Sequence, residues 1–243
     1  MIKGMQAWRT NALFRFAMHG YDAILLSAGG NDLKNLYASK LAQIAPAGVT
    51  ANEIQALMRP SAYSTYFQSV IQNITAFVDM RNSAENAKTR AAPIILHGYD
   101  YIQPRPAKAG IFGDESFGRG PWLYPVLQQT GLNSAQMRSA ADAVVDRLNE
   151  MLAFHVATLH NVYVIDSRGV LDTALPDTYA DSNDFLDEIH PNGGGFAKLA
   201  TCCWNRALAE ALGWTAQAAE LSPACVRPGV STALAELPTL VEA

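Results

Sequence analysis

Asp187 and His190 stand three positions apart in the run Asp187-Glu188-Ile189-His190-Pro191. That spacing lets a carboxylate accept a hydrogen bond from one imidazole nitrogen while the other nitrogen takes a proton from a hydroxyl. Fixing the tautomer in this way prepares a histidine for general-base work. Pro191, which cannot continue a strand or helix interior, would hold the histidine at a chain reversal. A second run, Gly29-Gly30-Asn31-Asp32, follows an apolar stretch. Its glycines permit a tight backbone path, Asn31 can aim its amide NH2 at a developing oxyanion, and Asp32 can cap a helix beginning near Leu33. Each run alone also has a purely structural reading. Asp-x-x-His recurs by chance, and the second run equally makes an ordinary strand-to-helix turn.

The elements that must position these groups follow from hydrophobic periodicity. Three short apolar runs, 21–27, 93–98 and 161–166, read as buried parallel strands. Between them, Tyr63, Phe67, Val70, Ile74, Phe77 and Val78 form a helical stripe over 61–88. Met137, Ala141, Val144, Leu148 and Leu152 form another over 133–159, with Asn133 as its N-cap, and Asn192 caps a last helix through Phe196, Leu199 and Trp204. Strands alternating with helices predict a parallel α/β sheet, whose functional residues gather beyond the carboxyl ends of the strands. Gly29 to Asp32 fall there. The segment 99–124 is rich in proline and glycine and reads as a long irregular loop over the same edge. His97, Tyr99 and Trp122 are its candidate pocket residues, with packing as the equal alternative for each.

With those residues in view, the run Tyr21 to Leu33 resembles the third conserved block (Gly-x-Asn-Asp) of the SGNH or GDSL hydrolase family, and Asp187 to Pro191 resembles its fifth (Asp-x-x-His-Pro). The resemblance implies roles: Asn31 in the oxyanion hole, His190 as general base, Asp187 as its orienting acid, with Gly29, Gly30 and Asp32 supporting the motif. Gly4 lies at about the distance before Asn31 at which the family places the second-block glycine, whose backbone N–H assists the oxyanion. The implied fold is a flavodoxin-like three-layer α/β/α sandwich around a parallel sheet. The family's first block, Gly-Asp-Ser, has no counterpart upstream of Gly4, so the nucleophile is unknown and the first strand of the fold is expected to be missing. Ser116, in the near-miss Gly113-Asp114-Glu115-Ser116, and Ser167 are poor substitutes by position, and Ser27 is expected to be buried within its strand. Without the first strand, the strand at 21–27 becomes an open edge, a hazard for aggregation or strand pairing.

Composition bounds the rest. The 243 residues are 49% hydrophobic, enough for one α/β domain, read here as 1–213 with a peripheral tail over 214–243. A net charge of −4 provides no basic field for nucleic acid. No apolar run approaches the length of a membrane span. Cys202, Cys203 and Cys225 make a poor disulfide framework, read as small buried helix residues, and no metal-ligand cluster can be assembled. Lys3, Arg9 and Arg15 superficially suit a transit peptide, but Met5, Trp8, Leu13, Phe14 and Ala17 suit a helix packed on the sheet.

The expectation is thus a carboxylic-ester hydrolase of the SGNH type with a small-molecule ester substrate and no cofactor or metal, inactive as this chain stands for want of a nucleophile. Its compartment is open, cytoplasmic or exported if a signal lies upstream of Met1. The rival is a non-catalytic binding or interaction module on the same fold that self-associates through the exposed strand edge.

Overall fold

The computed structural model describes residues 2–27, 30–44, 60–111 and 114–214, with side chains over 9–27, 35–42, 65–108 and 120–214. The expected tail from 215 onward lies outside the described residues. Helix α1 (Ile2–Met18) leads into β1 (Ile24–Leu26), followed by α2 (Gly30–Ile44), α3 (Pro60–Asn82), the short α4 (Ala87–Ala91) and β2 (Ile94–His97). A hairpin, β3 (Ala109–Ile111) and β4 (Asp114–Arg119), precedes α5 (Tyr124–Gln128), α6 (Ser134–Val156) and β5 (Val162–Ile165). The described chain closes with α7 (Gly193–Leu199), a π-helical turn (Ala200–Trp204) and α8 (Asn205–Ala211).

The three predicted strands form one parallel sheet in the order β1, β2, β5, an α/β arrangement. Strand alternation divides its side chains between two faces. Ile24, Ile94, Leu96 and Val162 join the larger core with Phe67, Ile74, Phe77, Val144 and Leu148 from α3 and α6. Ile95 and Ile165 face the other way, onto Ala207, Leu208 and Trp204. Each buried aliphatic side chain contributes about 1.5 to 3 kcal/mol, so the packing of helices on both sheet faces stabilises the sheet.

The two helical stripes pack as their spacing predicts over the described side chains, with Phe67, Val70, Ile74, Phe77, Val78, Met137, Ala141, Val144, Leu148 and Leu152 all buried, while the side chain of Tyr63 lies outside the described residues. Asn133 caps α6 through a reciprocal capping box with Gln136, and Asn192 caps α7 by accepting from the Gly195 amide. The predicted 61–88 helix is broken: α3 ends at Asn82, and Asn86 caps α4 by accepting from Lys88 and Thr89. Asparagine competes with the helix for backbone donors, and here it wins.

Other expectations need correction. The segment 99–124 is not wholly irregular, since it contains the β3–β4 hairpin and the start of α5. Helix α1 forms, but Leu13, Phe14 and Ala17 are exposed, and the helix packs instead through Phe16, which meets Phe77 and Tyr21 edge-on. The side chains of Met5 and Trp8 lie outside the described residues. Ser27 is exposed at the end of β1, not buried. Cys202 is buried as expected but is disulfide-bonded, while Cys203 is free.

Among the described residues β1 pairs with β2 and no strand is seen on its other side. No helix among them is long and apolar enough to cross a membrane.

Candidate active site

The chain leaves β5 at Ile165 and runs through a long connection to α7, and this connection carries Asp187 and His190. It therefore lies beyond the carboxyl ends of the parallel strands, joined there by the segment that leaves β2. Asp100 makes the first tie. Its carboxylate accepts from the amides of Gly169 (2.7 Å), Leu171 (2.8 Å) and Tyr101 (2.7 Å), clamping the end of β2 to the turn after β5. The close approach is possible because residue 98 is glycine: a Cβ there would stand 2.2 Å from the Ile165 carbonyl oxygen. Burial raises the Asp100 pKa, and the amide bonds only partly offset it.

Arg105 makes the second tie. Its guanidinium is buried and donates to the Thr178 hydroxyl (2.9 Å) and to the carbonyls of Ala180, Phe185 and Asp187. Beside it the Gln103 amide donates to the Glu188 carbonyl at 2.7 Å. Further along, Lys198 bridges Asp172 and Asp184, and Gly195 lets α7 begin against the Asp184 carbonyl, where a Cβ would stand at 2.3 Å. A connection without regular structure is thus fixed on several sides.

Within this frame Asp187 is fully buried, and both of its carboxylate oxygens are hydrogen-bonded. Oδ1 accepts from the amides of Ile189 (2.6 Å) and His190 (2.7 Å), and Oδ2 pairs with His190 Nδ1 at 2.7 Å. Burial alone would raise the Asp187 pKa, but the bonds from the His190 ring and the two amides outweigh it and hold the carboxyl below its ordinary value. The carboxylate is therefore ionised at neutral pH and directs the imidazole proton to Nδ1, which presents Nε2 for proton transfer. The His190 side chain is 49% exposed, so it is accessible from solvent.

The structure separates the three pocket candidates. Trp122 meets His190 edge to face, with ring centroids 5.7 Å apart and planes at 74°. His97 and Tyr99 meet each other at 5.1 Å, and His97 stacks on Trp204 at 5.8 Å and 15°. Burial lowers the pKa of His97, so it sits neutral in an aromatic packing site at neutral pH. Tyr99 is clamped through its backbone, its amide accepted by Asn149 and its carbonyl bonded by the same side chain. Both make packing contacts at the end of β2.

Of the other motif residues, Gly4 lies in the first turn of α1, where amide N–H groups have no intrahelical acceptor. Helix α2 begins at Gly30, three residues earlier than predicted, so Asp32 sits inside its first turn and not at its cap. Gly29 and the side chains of Asn31 and Asp32 lie outside the described residues, as does the side chain of Ser116. Ser167 is buried and donates to the Gly98 carbonyl at 3.1 Å, which engages it in the sheet. Among the described residues there is no group of three or more histidine, cysteine, aspartate or glutamate side chains placed to hold a metal ion.

Sequence reasoning missed two residues of this site. Glu188 accepts from the amides of Trp122 (2.7 Å), Leu123 (2.6 Å) and Tyr124 (3.0 Å), and it is fully buried. Burial raises its pKa against the pull of those amides. Glu188 lies inside the motif itself, and a charged residue beside a buried aspartate was the available signal. Arg105, flanked by Pro104 and Pro106, had no such marker.

No family model, curated protein or solved structure matches the chain.

Proposed function

We propose that this chain carries the base and the orienting acid of an SGNH-type serine hydrolase acting on small-molecule carboxylic esters. The observation that carries the reading is the Asp187–His190 pair: a buried, hydrogen-bonded carboxylate at 2.7 Å from Nδ1 of a solvent-accessible imidazole, beyond the carboxyl ends of a parallel sheet. A buried acid that fixes one ring nitrogen while the ring stays open to solvent is the arrangement a general base requires. The order β1, β2, β5 suits one wing of a flavodoxin-like sheet.

In the reaction, His190 Nε2 takes the proton of a serine hydroxyl as its oxygen attacks the ester carbonyl. Asn31 and the Gly4 amide donate to the oxyanion, and His190 then returns the proton to the departing alcohol. Asp187 stabilises the imidazolium between the two transfers. Hydrolysis of the acyl-enzyme repeats the cycle with water. The sequence contains no Gly-Asp-Ser, so the nucleophile is unassigned, and this chain alone is expected to show no serine chemistry.

A second reading, a binding module derived from the same fold, is favoured by the apolar side chain of Leu25 on β1, which is 54% exposed. Hydrolysis of p-nitrophenyl acetate and labelling by a serine-directed fluorophosphonate separate the two. On this chain, turnover that disappears with His190→Ala would overturn the expected inactivity. On the chain joined to its in-frame upstream coding sequence, labelling that requires His190 and Asp187 is the expected result. Labelling indifferent to both overturns the hydrolase reading, and no labelling favours the binding module.

A further inference from the structure

We propose that Glu188 is a positioning residue for His190: its carboxylate, spread across the consecutive amides of Trp122, Leu123 and Tyr124, holds the Trp122 indole against the imidazole. The inference rests on reading His190 as the base, and it adds a residue to that site.

The motif tetrapeptide sends its two acids to different targets. Asp187 turns to the His190 ring, and Glu188 turns to the segment that opens α5. There Oε1 accepts from two amides and Oε2 from a third, at 2.6 to 3.0 Å. The first amides of a helix lack intrahelical acceptors, and a carboxylate answers them with charge-assisted bonds about twice as strong as neutral ones. Glutamine would turn an NH2 donor toward at least one of these donors, and aspartate is one methylene too short to span them. Leu123 and Leu127, both fully buried, root the same turn in the core. The backbone of Glu188 is fixed as well, since its carbonyl accepts from Gln103.

Trp122 is therefore joined to the residue two positions before His190, and turn and base move as one body. The bond to Asp187 holds the imidazole through one ring nitrogen, and what packs against the ring also sets its orientation. The indole covers one side of the ring, restricts its rotation and keeps water from that side. A buried carboxylate is costly unless fully bonded, and three amides aimed at the neighbour of the base give this one a role beyond filling space.

The test reads the His190 ring C–H resonances by NMR in the intact chain. Wild type is expected to show Trp122-to-His190 nuclear Overhauser contacts and a ring-current displacement of the His190 signals. Glu188→Gln should lose both, moving the signals to where Trp122→Leu places them, and the double variant should move them no further. A merely structural glutamate predicts a lowered Tm with the His190 signals unmoved, and that result overturns the proposal. Should Glu188→Gln fail to fold, hydrogen exchange in wild type decides. The amides of Trp122, Leu123 and Tyr124 are expected to be protected together, and exchange at unprotected rates overturns it. Neither readout needs turnover, so loss of the hydrolase reading would leave this coupling standing, and loss of the coupling would leave the Asp187–His190 pair intact.

Discussion

Leu25 and Ile95 are register partners on adjacent parallel strands and point to the same face of the sheet, yet Ile95 is fully buried and Leu25 is 54% exposed. Ile95 lies under Ala207 and the π-helical turn, while among the described residues nothing comparable covers Leu25. Helix α1 separately exposes Leu13, Phe14 and Met18.

Exposed apolar side chains on a strand favour self-association. Leu25→Lys should therefore reduce any concentration-dependent association in sedimentation velocity while changing unfolding free energy by under about 0.5 kcal/mol. A monomer in wild type at all concentrations would contradict the strand-pairing expectation.

Asp187→Ala strands the part-buried amides of Ile189 and His190 together with the imidazole. At about 1 to 3 kcal/mol for each unsatisfied group, the loss should reach about 3 kcal/mol in urea denaturation. The pH dependence has a definite sign. Because the folded pKa of Asp187 is depressed, its contribution is fully present above the unfolded value of about 4 and is lost as pH falls through the folded value. Asp187→Asn should remove that acid slope.

Asp142 behaves in the opposite way. Burial raises its pKa to about 6, Arg138 opposing and the charges of Asp146 and Asp100 reinforcing the shift. The folded state then holds a proton that the unfolded state has released between about pH 4 and 6, so stability falls as pH rises through that window. Asp142→Asn should flatten this slope and raise stability at pH 8 by on the order of 1 kcal/mol.

Arg105→Met keeps much of the side-chain volume and removes every bond to the 178–187 segment. A cost of about 3 kcal/mol or more is expected, and Arg105→Lys should recover part of it, because an ammonium cannot reproduce the guanidinium fork. The Nδ1 proton signal of His190 should broaden in the Met variant while the Leu148 and Val144 core signals persist.

The sequence carried those features that repeat or sit close together. Strands β1, β2 and β5, the stripes of α3 and α6, and the caps at Asn133 and Asn192 were legible because hydrophobic period and capping chemistry are local. The Asp187–His190 contact was legible for the same reason, its partners being one turn apart. Arg105 was not legible, since its partners lie more than seventy positions away and no pattern links them. Nor was the break after Asn82, where Asn86 outcompetes a continuous apolar stripe. The faces of α1 were misjudged because apolar spacing shows which residues can be buried, not whether anything lies opposite them.

The ties from Arg105 and Gln103 to the 178–188 segment, like the pairings of β1 with β2 and of β2 with β5, join residues far apart in the chain. Contacts this distant in sequence are slow to close, because chain entropy is lost before they form. The helices need none of them to begin forming. The sheet and the Asp187–His190 geometry are therefore expected to arrive together, after a refolding chain has regained much of its helical signal.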